Sequence, residues 1–354
     1  MLDIGELLQL CVKHSASDLH LTVGKPPTLR IDSALMPLNY EPLTSEDTEF
    51  LMKSVTSDEN RRRIQEVGGV DFGFGFEKIA RFRVSVYKQK GHYGLALRLI
   101  PMHLLNFDEI GLPAVIRDLL FRPRGLILVT GPTGSGKTTT LATMTDFINT
   151  ERDCHIITIE DPIEYYHQHK KGIITQRELG VDVPSFSEAL IKGLRQNPDV
   201  ILVGEMRDLA TIEAAILAAE TGHLVMATLH TASAASTVDR IIDVFPPNQQ
   251  EQIRTQLSTS ILAVISQQLL VKASGRGRIA AFEIMISTAS IRNLIREKKT
   301  FRITSDLQTG GKYGMKPFDT SLFELYSNGI IRAEDAVAKA FDKELMQSKV
   351  QGKG

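Results

Sequence analysis

Cysteine is scarce in this chain: 354 residues contain two, Cys11 and Cys154. They stand far apart and without metal-ligand spacing, which excludes a disulfide framework and a cysteine zinc site and fits buried thiols in a reducing compartment. Charge of one sign is also lacking. The 41 Lys and Arg against 42 Asp and Glu leave a formal net charge of −1. A protein held mainly by DNA or RNA phosphates more often carries a basic excess, so no nucleic-acid partner is expected. No run approaches the ~18 apolar residues of a membrane span. The opening residues Met1-Leu-Asp-Ile-Gly-Glu6 have neither the basic start nor the apolar stretch of a signal peptide. A soluble cytoplasmic protein is expected, one that meets a membrane only through partners. The hydrophobic fraction of 42% suffices to fill the cores of two domains.

What is present centres on Gly131-Pro132-Thr133-Gly134-Ser135-Gly136-Lys137-Thr138, which fits G-x-x-x-x-G-K-[ST] at every specified position. The apolar run Leu126–Val129 before it is long enough for one buried strand. After it, Leu141, Met144, Phe147 and Ile148 recur at helical spacing. Strand, glycine-rich loop and helix is the context in which backbone N–H groups and a helix N-terminus converge on phosphate oxygens. Lys137 is expected to reach the β- and γ-phosphates, and the Thr138 hydroxyl to ligate Mg²⁺.

Residues 1–100 predict a small α+β domain on an antiparallel sheet. Residues 3–13 have helical spacing, Asp18–Val23 and Thr28–Ile31 read as strands, and 45–66 read as a charged helix that Thr44 can cap. Strands return at Val70–Phe76, Ala80–Tyr87 and Gly94–Ile100, with Phe72, Phe74 and Phe76 forming an apolar face. Arg81 and Arg83, two apart on one strand, share a face. With Arg98 they make either ordinary surface pairs or a set of cations aimed at a nucleotide on a neighbouring domain or subunit, and the pattern alone does not choose. Residues 101–115, with Pro101, Gly111 and Pro113, read as a linker.

Residues 116–354 read as the domain that carries the phosphate loop. The strand His155–Ile159 runs into Glu160-Asp161-Pro162-Ile163-Glu164, and carboxylates just past a strand end sit where open α/β sheets bind ligands. Glu164 is the choice to activate water, because Pro162 breaks the chain and re-aims the residues after it; a charged loop around a turn proline is the plainer alternative. Ser185 to Glu188 resembles a capping box. A buried strand, Val200–Val203, is followed by Glu205, an acid suited to the Mg²⁺ shell through water. A strand lies within Thr221–Thr231 between His223 and His230. His230 is favoured as a γ-phosphate sensor, with Thr228 and His223 as companions. Further on, Gln249–Leu270 reads as one long amphipathic helix, Ile279–Ile286 as a strand, and about 288–299, 317–327 and 333–344 as helices. The tail 351–354 reads as disordered.

These boxes, in this order, resemble the secretion ATPases of type II secretion and type IV pilus systems over nearly the whole length. Glu160–Glu164 is similar to their aspartate box, Asp199–Asp208 to their atypical Walker B, Thr221–Thr231 to their histidine box, and Ser17-Asp-Leu-His-Leu21 to the start of their small N-terminal domain. Ser290-Ile291-Arg292-Asn293-Leu294-Ile295-Arg296-Glu297 closely matches the AIRNLIRE signature of the retraction branch, with Ser for Ala at the first position. The short N-terminus, without the extra domain of the assembly enzymes, agrees. Asn197 stands where many relatives carry Asp, which should not cost hydrolysis while Glu164 and Glu205 remain.

The resemblance implies an α/β fold: a RecA-like P-loop NTPase domain preceded by a PAS-like α+β domain. It further implies a homo-hexamer with ATP and Mg²⁺ bound between subunits, the loop Gly131–Thr139 (ending in Thr139) around the nucleotide, and Glu205 and Glu164 as Walker B acid and water activator. Arg81, Arg83 and Arg98 become trans-acting candidates, with Arg61 to Arg63 also within reach. Ile291 to Glu297 become a partner-facing helix for an inner-membrane pilus platform protein, and a second retraction ATPase is a further partner it raises. The rivals are an assembly or type II secretion ATPase, a DNA-translocating motor, and a non-enzymatic nucleotide-gated subunit.

Overall fold

The computed structural model describes residues 2–31, 34–77, 79–100 and 104–352. The first three linker residues, 101–103, and the tail residues 353–354 lie outside them. The chain forms two compact units: one reaches to Leu104 and includes Pro162–Tyr166, and the other takes Leu105–Asp161 and His167 onward.

The first unit opens with α1 (Ile4–Lys13), capped by the Asp3 side chain. Strands β1 (Asp18–Leu21), β2 (Thr28–Ile31) and β3 (Ala34–Pro37) come next. Then come α2 (Ser45–Val55) and α3 (Asp58–Val67). The single helix expected over 45–66 is thus two. Thr56 is extended at φ −104°, and Ser57 starts a new helix by accepting from Asn60 N. The capping residue foreseen at Thr44 closes a full capping box with Asp47. Strands β4 (Gly69–Phe76), β5 (Ala80–Gln89) and β6 (His92–Ile100) complete the unit. Among the described residues its sheet runs β3-β2-β1-β6-β5-β4, with antiparallel neighbours throughout.

The period of two on β5 divides this sheet by chemistry. Phe82, Val84 and Val86 are buried with Leu95 and Leu97 of β6, beneath Leu7 and Leu8 of α1 and Leu51 of α2. Phe72, Phe74 and Phe76 join that cluster, as an apolar face should. The alternate residues carry the arginines. Arg83 stands opposite Arg98 on β6 and Gly73 on β4, and Arg98 stands opposite Asp18 on β1.

The second unit begins inside the expected linker. Short α4 (Phe107–Ile110), closed by an Asn106–Glu109 capping box, and α5 (Val115–Leu119) bury Phe107, Ile110 and Ile116 in the same cluster as Ile127 and Val129. After them come β7 (Gly125–Thr130), α6 (Lys137–Glu151), β8 (His155–Glu160), β9 (Ile173–Glu178), α7 (Phe186–Gly193), β10 (Val200–Val203), α8 (Leu209–Glu220), β11 (Leu224–Leu229), α9 (Ala234–Asp243), α10 (Gln250–Ser260), β12 (Ile261–Val271) and β13 (Arg278–Ile286). Helices α11 (Ala289–Arg296), α12 (Ile303–Thr309), α13 (Phe318–Ser327), α14 (Ala333–Lys339) and α15 (Lys343–Val350) close the chain. The sheet order is β13-β12-β7-β11-β10-β8-β9, parallel except for β13 against β12. Every residue of β7, β10 and β11 is buried, the mark of parallel strands covered on both faces.

The long helix expected over Gln249–Leu270 is wrong in its second half. Helix α10 stops at Ser260, and Ile261–Val271 is a strand between β7 and β13. An apolar run buried on both faces shows no alternation, so periodicity cannot separate it from a helix; Ile261, Val264, Ile265 and Val271 are β-branched and suit the strand. Ser185 caps α7 through Glu188 N, but Glu188 itself pairs with Lys192 at 2.8 Å. Strands β3 and β9 and helix α12 carry too few periodic residues to have been expected.

Candidate nucleotide site

The phosphate loop leaves the centre of the sheet, where β7 lies between β11 and β12. Gly131, Gly134 and Gly136 have φ of +142°, +77° and +91°, a region that L side chains rarely adopt. A Cβ on Gly131 would overlap the Gln267 carbonyl oxygen and crowd Ser135 Oγ. Helix α6 starts at Lys137 with Gly136 in the N-cap position and no side-chain cap, so its first N–H groups keep their capacity for an anion. The Ser135 hydroxyl is buried without a hydrogen-bond partner. Lys137, itself buried, donates from Nζ to the Gly131 and Pro132 carbonyls at 2.9 and 3.1 Å, folding the ammonium into the loop. Thr138 and Thr139 come next in the first turn, half-buried, while Pro132, Thr133 and Gly134 form the exposed rim.

One buried residue holds this loop that the sequence reading missed. Gln267 on β12 donates from Nε2 to the Ser135 carbonyl at 2.7 Å and accepts from the Thr140 hydroxyl at 2.8 Å. The expectation of a helix through Leu270 hid it.

The acid past β10 sits in a charged network. Glu205 Oε1 lies 2.6 Å from Arg207 Nε and 3.0 Å from His230 Nε2. Burial would raise the Glu205 pKa, but the Arg207 hydrogen bond and the His230 and Arg207 charges outweigh it and hold the carboxyl below the usual glutamate range. Arg207 is pushed up in turn by its bond to Glu205, against the opposing effect of burial. Thr228 fixes the approach: its hydroxyl donates to the Gly204 carbonyl at 2.5 Å, and its carbonyl accepts from Met206 N at 3.0 Å. Gly204 to Met206 is therefore stitched to β11, which brings Glu205 to His230.

His223 does not join this group, contrary to expectation. It precedes β11, where its carbonyl accepts from Gly125 N, whereas the phosphate loop leaves Thr130 at the other end of the paired strands. Its ring faces the Ala218 carbonyl at 3.1 Å, at the C-terminus of α8. Glu160 is buried, and its Oε1 accepts from the Thr158 hydroxyl at 2.7 Å and from Gln176 Nε2 at 3.2 Å. As donors for a Mg²⁺–nucleotide, the Thr138 hydroxyl and one ionised carboxylate, Glu205, form a fitting set, since Mg²⁺ takes few protein ligands and fills its shell from phosphates and water.

In the first unit the three arginines part company. Arg98 donates to Asp18 Oδ1 at 2.9 Å while most of its side chain stays exposed. Arg83 is half-buried beside it on the same rung. Arg81 is buried; its Nε donates to the Ile163 carbonyl at 3.0 Å, and its guanidinium carbon lies 3.7 Å from the centre of the Tyr166 ring. The Pro162–Tyr166 stretch, expected in the motor domain, accordingly packs with the first unit and takes Glu164 with it. Arg61, a lesser candidate, is occupied by Asp58 and by the Lys53 and Thr56 carbonyls.

Helix α11 carries the C-terminal signature. Ile291, Leu294 and Ile295 are buried in the motor core, and Asn293, Arg296 and Glu297 are exposed. Arg292 turns back to Ser287, donating to its hydroxyl at 3.2 Å and its carbonyl at 3.3 Å.

Residues 3–313 match the family described as type II/IV secretion system protein. The type IV pilus retraction ATPase PilT of Pseudomonas aeruginosa is 49% identical over 339 residues, 96% of this chain and 98% of that protein. A twitching motility protein of Neisseria gonorrhoeae is 47% identical over 320 residues, 90% of this chain and 86% of that one. Among solved structures, that of the pilus retraction motor PilT with bound ADP superposes with a TM-score of 0.91 at 48% identity, covering 98% of this chain and 99% of the other. The chain belongs to the type II/IV secretion system protein family.

Proposed function

We propose that the chain is an ATP-hydrolysing motor that powers retraction of type IV pili, working as a cytoplasmic homo-hexamer at the inner-membrane base of the pilus machine. Among the described residues no helix is long and apolar enough to cross a membrane; in this reading the membrane is met only through partners such as the platform protein. The observation that carries the ATP step is the uncapped start of α6 behind a glycine loop with Lys137 folded into it. The retraction step leans on the near full-length likeness to PilT and on the exposed Asn293 and Arg296 of α11 with Glu297 just past it, a face for the platform protein or a second retraction ATPase.

In this reading the second unit is a RecA-like motor and the first a PAS-like domain. Residues Gly131 to Thr139 bind the nucleotide phosphates, and Lys137 exchanges its loop carbonyls for β- and γ-oxygens. Thr138 and Glu205 would hold Mg²⁺, Glu205 through water, and the bound ion would supply charge neutralisation at the phosphates. Glu164 orients the attacking water and takes its proton. His230 reports on the γ-phosphate to Glu205, with which it already pairs. Arg83 and Arg98, from the small domain, approach the phosphates of a neighbouring subunit. Nucleotide then biases domain arrangements whose cycling extracts pilin.

Purified protein tests the chemistry: Lys137→Ala abolishes hydrolysis, and Glu164→Gln binds ATP without turning it over. Deleting the gene and counting surface pili while scoring twitching tests the direction of work. Abundant pili without twitching support retraction; a bald cell marks an assembly ATPase instead.

A further inference from the structure

The geometry points to Arg81 as a positioning residue that sets the backbone of Glu164, rather than a cation that reaches a nucleotide. It rests on the reading of Glu164 as the water-activating acid. Three observations converge, all within the first unit. Arg81 Nε donates to the carbonyl of Ile163, whose carbon is bonded to the Glu164 amide nitrogen, so the contact fixes the peptide plane that enters Glu164. Two residues past Glu164, the Tyr166 ring lies against the same guanidinium. Glu164 is therefore bracketed by two points held by one side chain. The third observation is the space that makes this possible. Gly73 sits diagonally across the β4–β5 ladder from Arg81, and a Cβ there would overlap the guanidinium Nη2 and crowd its carbon.

The chemistry requires arginine. A guanidinium donates in its plane through Nε and offers its flat face to a ring at once, while a lysine ammonium is a point charge with no face. Arg81 is buried, unlike Arg98, whose side chain is 68% exposed, so the two cations of one sheet face have different tasks. A carboxylate that must orient one water tolerates little error, since displacements of about 1 Å can cost ~100-fold in rate.

The test measures ATP hydrolysis and nucleotide affinity by the full-length protein. Arg81→Gln and Arg81→Lys should each lower kcat by about tenfold or more, with nucleotide Kd within about threefold of wild type. Gly73→Ala, which displaces the guanidinium and removes no functional group, should lower kcat in the same way and serves if the Arg81 variants fold poorly. In a Glu164→Asp background, where the carboxylate is already set back by a methylene, Arg81→Gln should cost much less than in wild type. Wild-type kcat in Arg81→Lys would overturn the assignment, because charge alone would then suffice. Equal cost in both backgrounds, or a loss confined to Kd, would overturn it as well. Wild-type turnover by Glu164→Gln would instead remove the reading of Glu164 itself, a separate result.

Discussion

Gln267 reaches from β12 to the Ser135 carbonyl at 2.7 Å, and its carboxamide oxygen takes the Thr140 hydroxyl at 2.8 Å. The phosphate loop and the first turn of α6 are thus pinned by one amide from the neighbouring strand. Gln267→Leu would leave the buried Ser135 carbonyl and the Thr140 hydroxyl without that partner, a loss of about 1–3 kcal/mol. Calorimetry should show a lower Tm, and nucleotide titration an affinity about tenfold weaker, because the loop must be ordered when the nucleotide arrives.

Gly131 has the least freedom to change. Alanine there would take a φ of +142° and overlap the Gln267 carbonyl. Gly131→Ala should cost about 1–3 kcal/mol and abolish nucleotide binding, whereas Gly75→Ala, at a position with nothing within 4 Å of an added Cβ, should leave Tm nearly unchanged. Denaturant melts and fluorescent-nucleotide titration read both.

Asp18 gives the small domain a pH dependence. Burial would raise its pKa, but the Ser17 hydroxyl at 2.8 Å and Arg98 at 2.9 Å outweigh that and hold it below the usual 3.8. A depressed folded-state pKa contributes stability that is present above the unfolded value and lost as pH falls through the folded one. Asp18→Asn should therefore lower the Tm at neutral pH, and the gap to wild type should close as pH drops below the ordinary aspartate range. A gap that widens in acid would contradict the pairing.

Helix α11 separates stability from partnership. Ile291→Ala empties a buried site and should cost about 2–5 kcal/mol. Asn293→Ala and Arg296→Ala touch only the exposed side and should move stability by no more than about 0.5 kcal/mol. Those two should hydrolyse ATP normally in solution yet fail to restore twitching to a deletion strain.

The loop, the buried strands β7 and β10, and the alternation that sets Phe82 against Arg81 were legible because each depends on neighbours close in sequence. Gln267 was not, because its partners lie more than a hundred residues away and its strand shows no period. The sequence puts His223 and His230 at either end of one strand; the register of β11 on β7 shows that the phosphate loop leaves at the His230 end. Pro162 did flag a re-aimed segment, but nothing local said that Ile163 would lie against Arg81, eighty-two residues earlier. The partners of Glu160, Thr158 two residues before it and Gln176 on the neighbouring strand, belong to the fold and not to the Glu160–Glu164 run.

The chain passes between its two compact units after Leu104, again after Asp161 and back after Tyr166. A single cut therefore does not separate them. A fragment that begins at Leu105 would carry the buried Ile163 without Arg81, the side chain that donates to its carbonyl. Such a fragment would hold Pro162–Tyr166 apart from the unit to which that stretch belongs, so that its silence would report a displaced Glu164 and not a missing accessory.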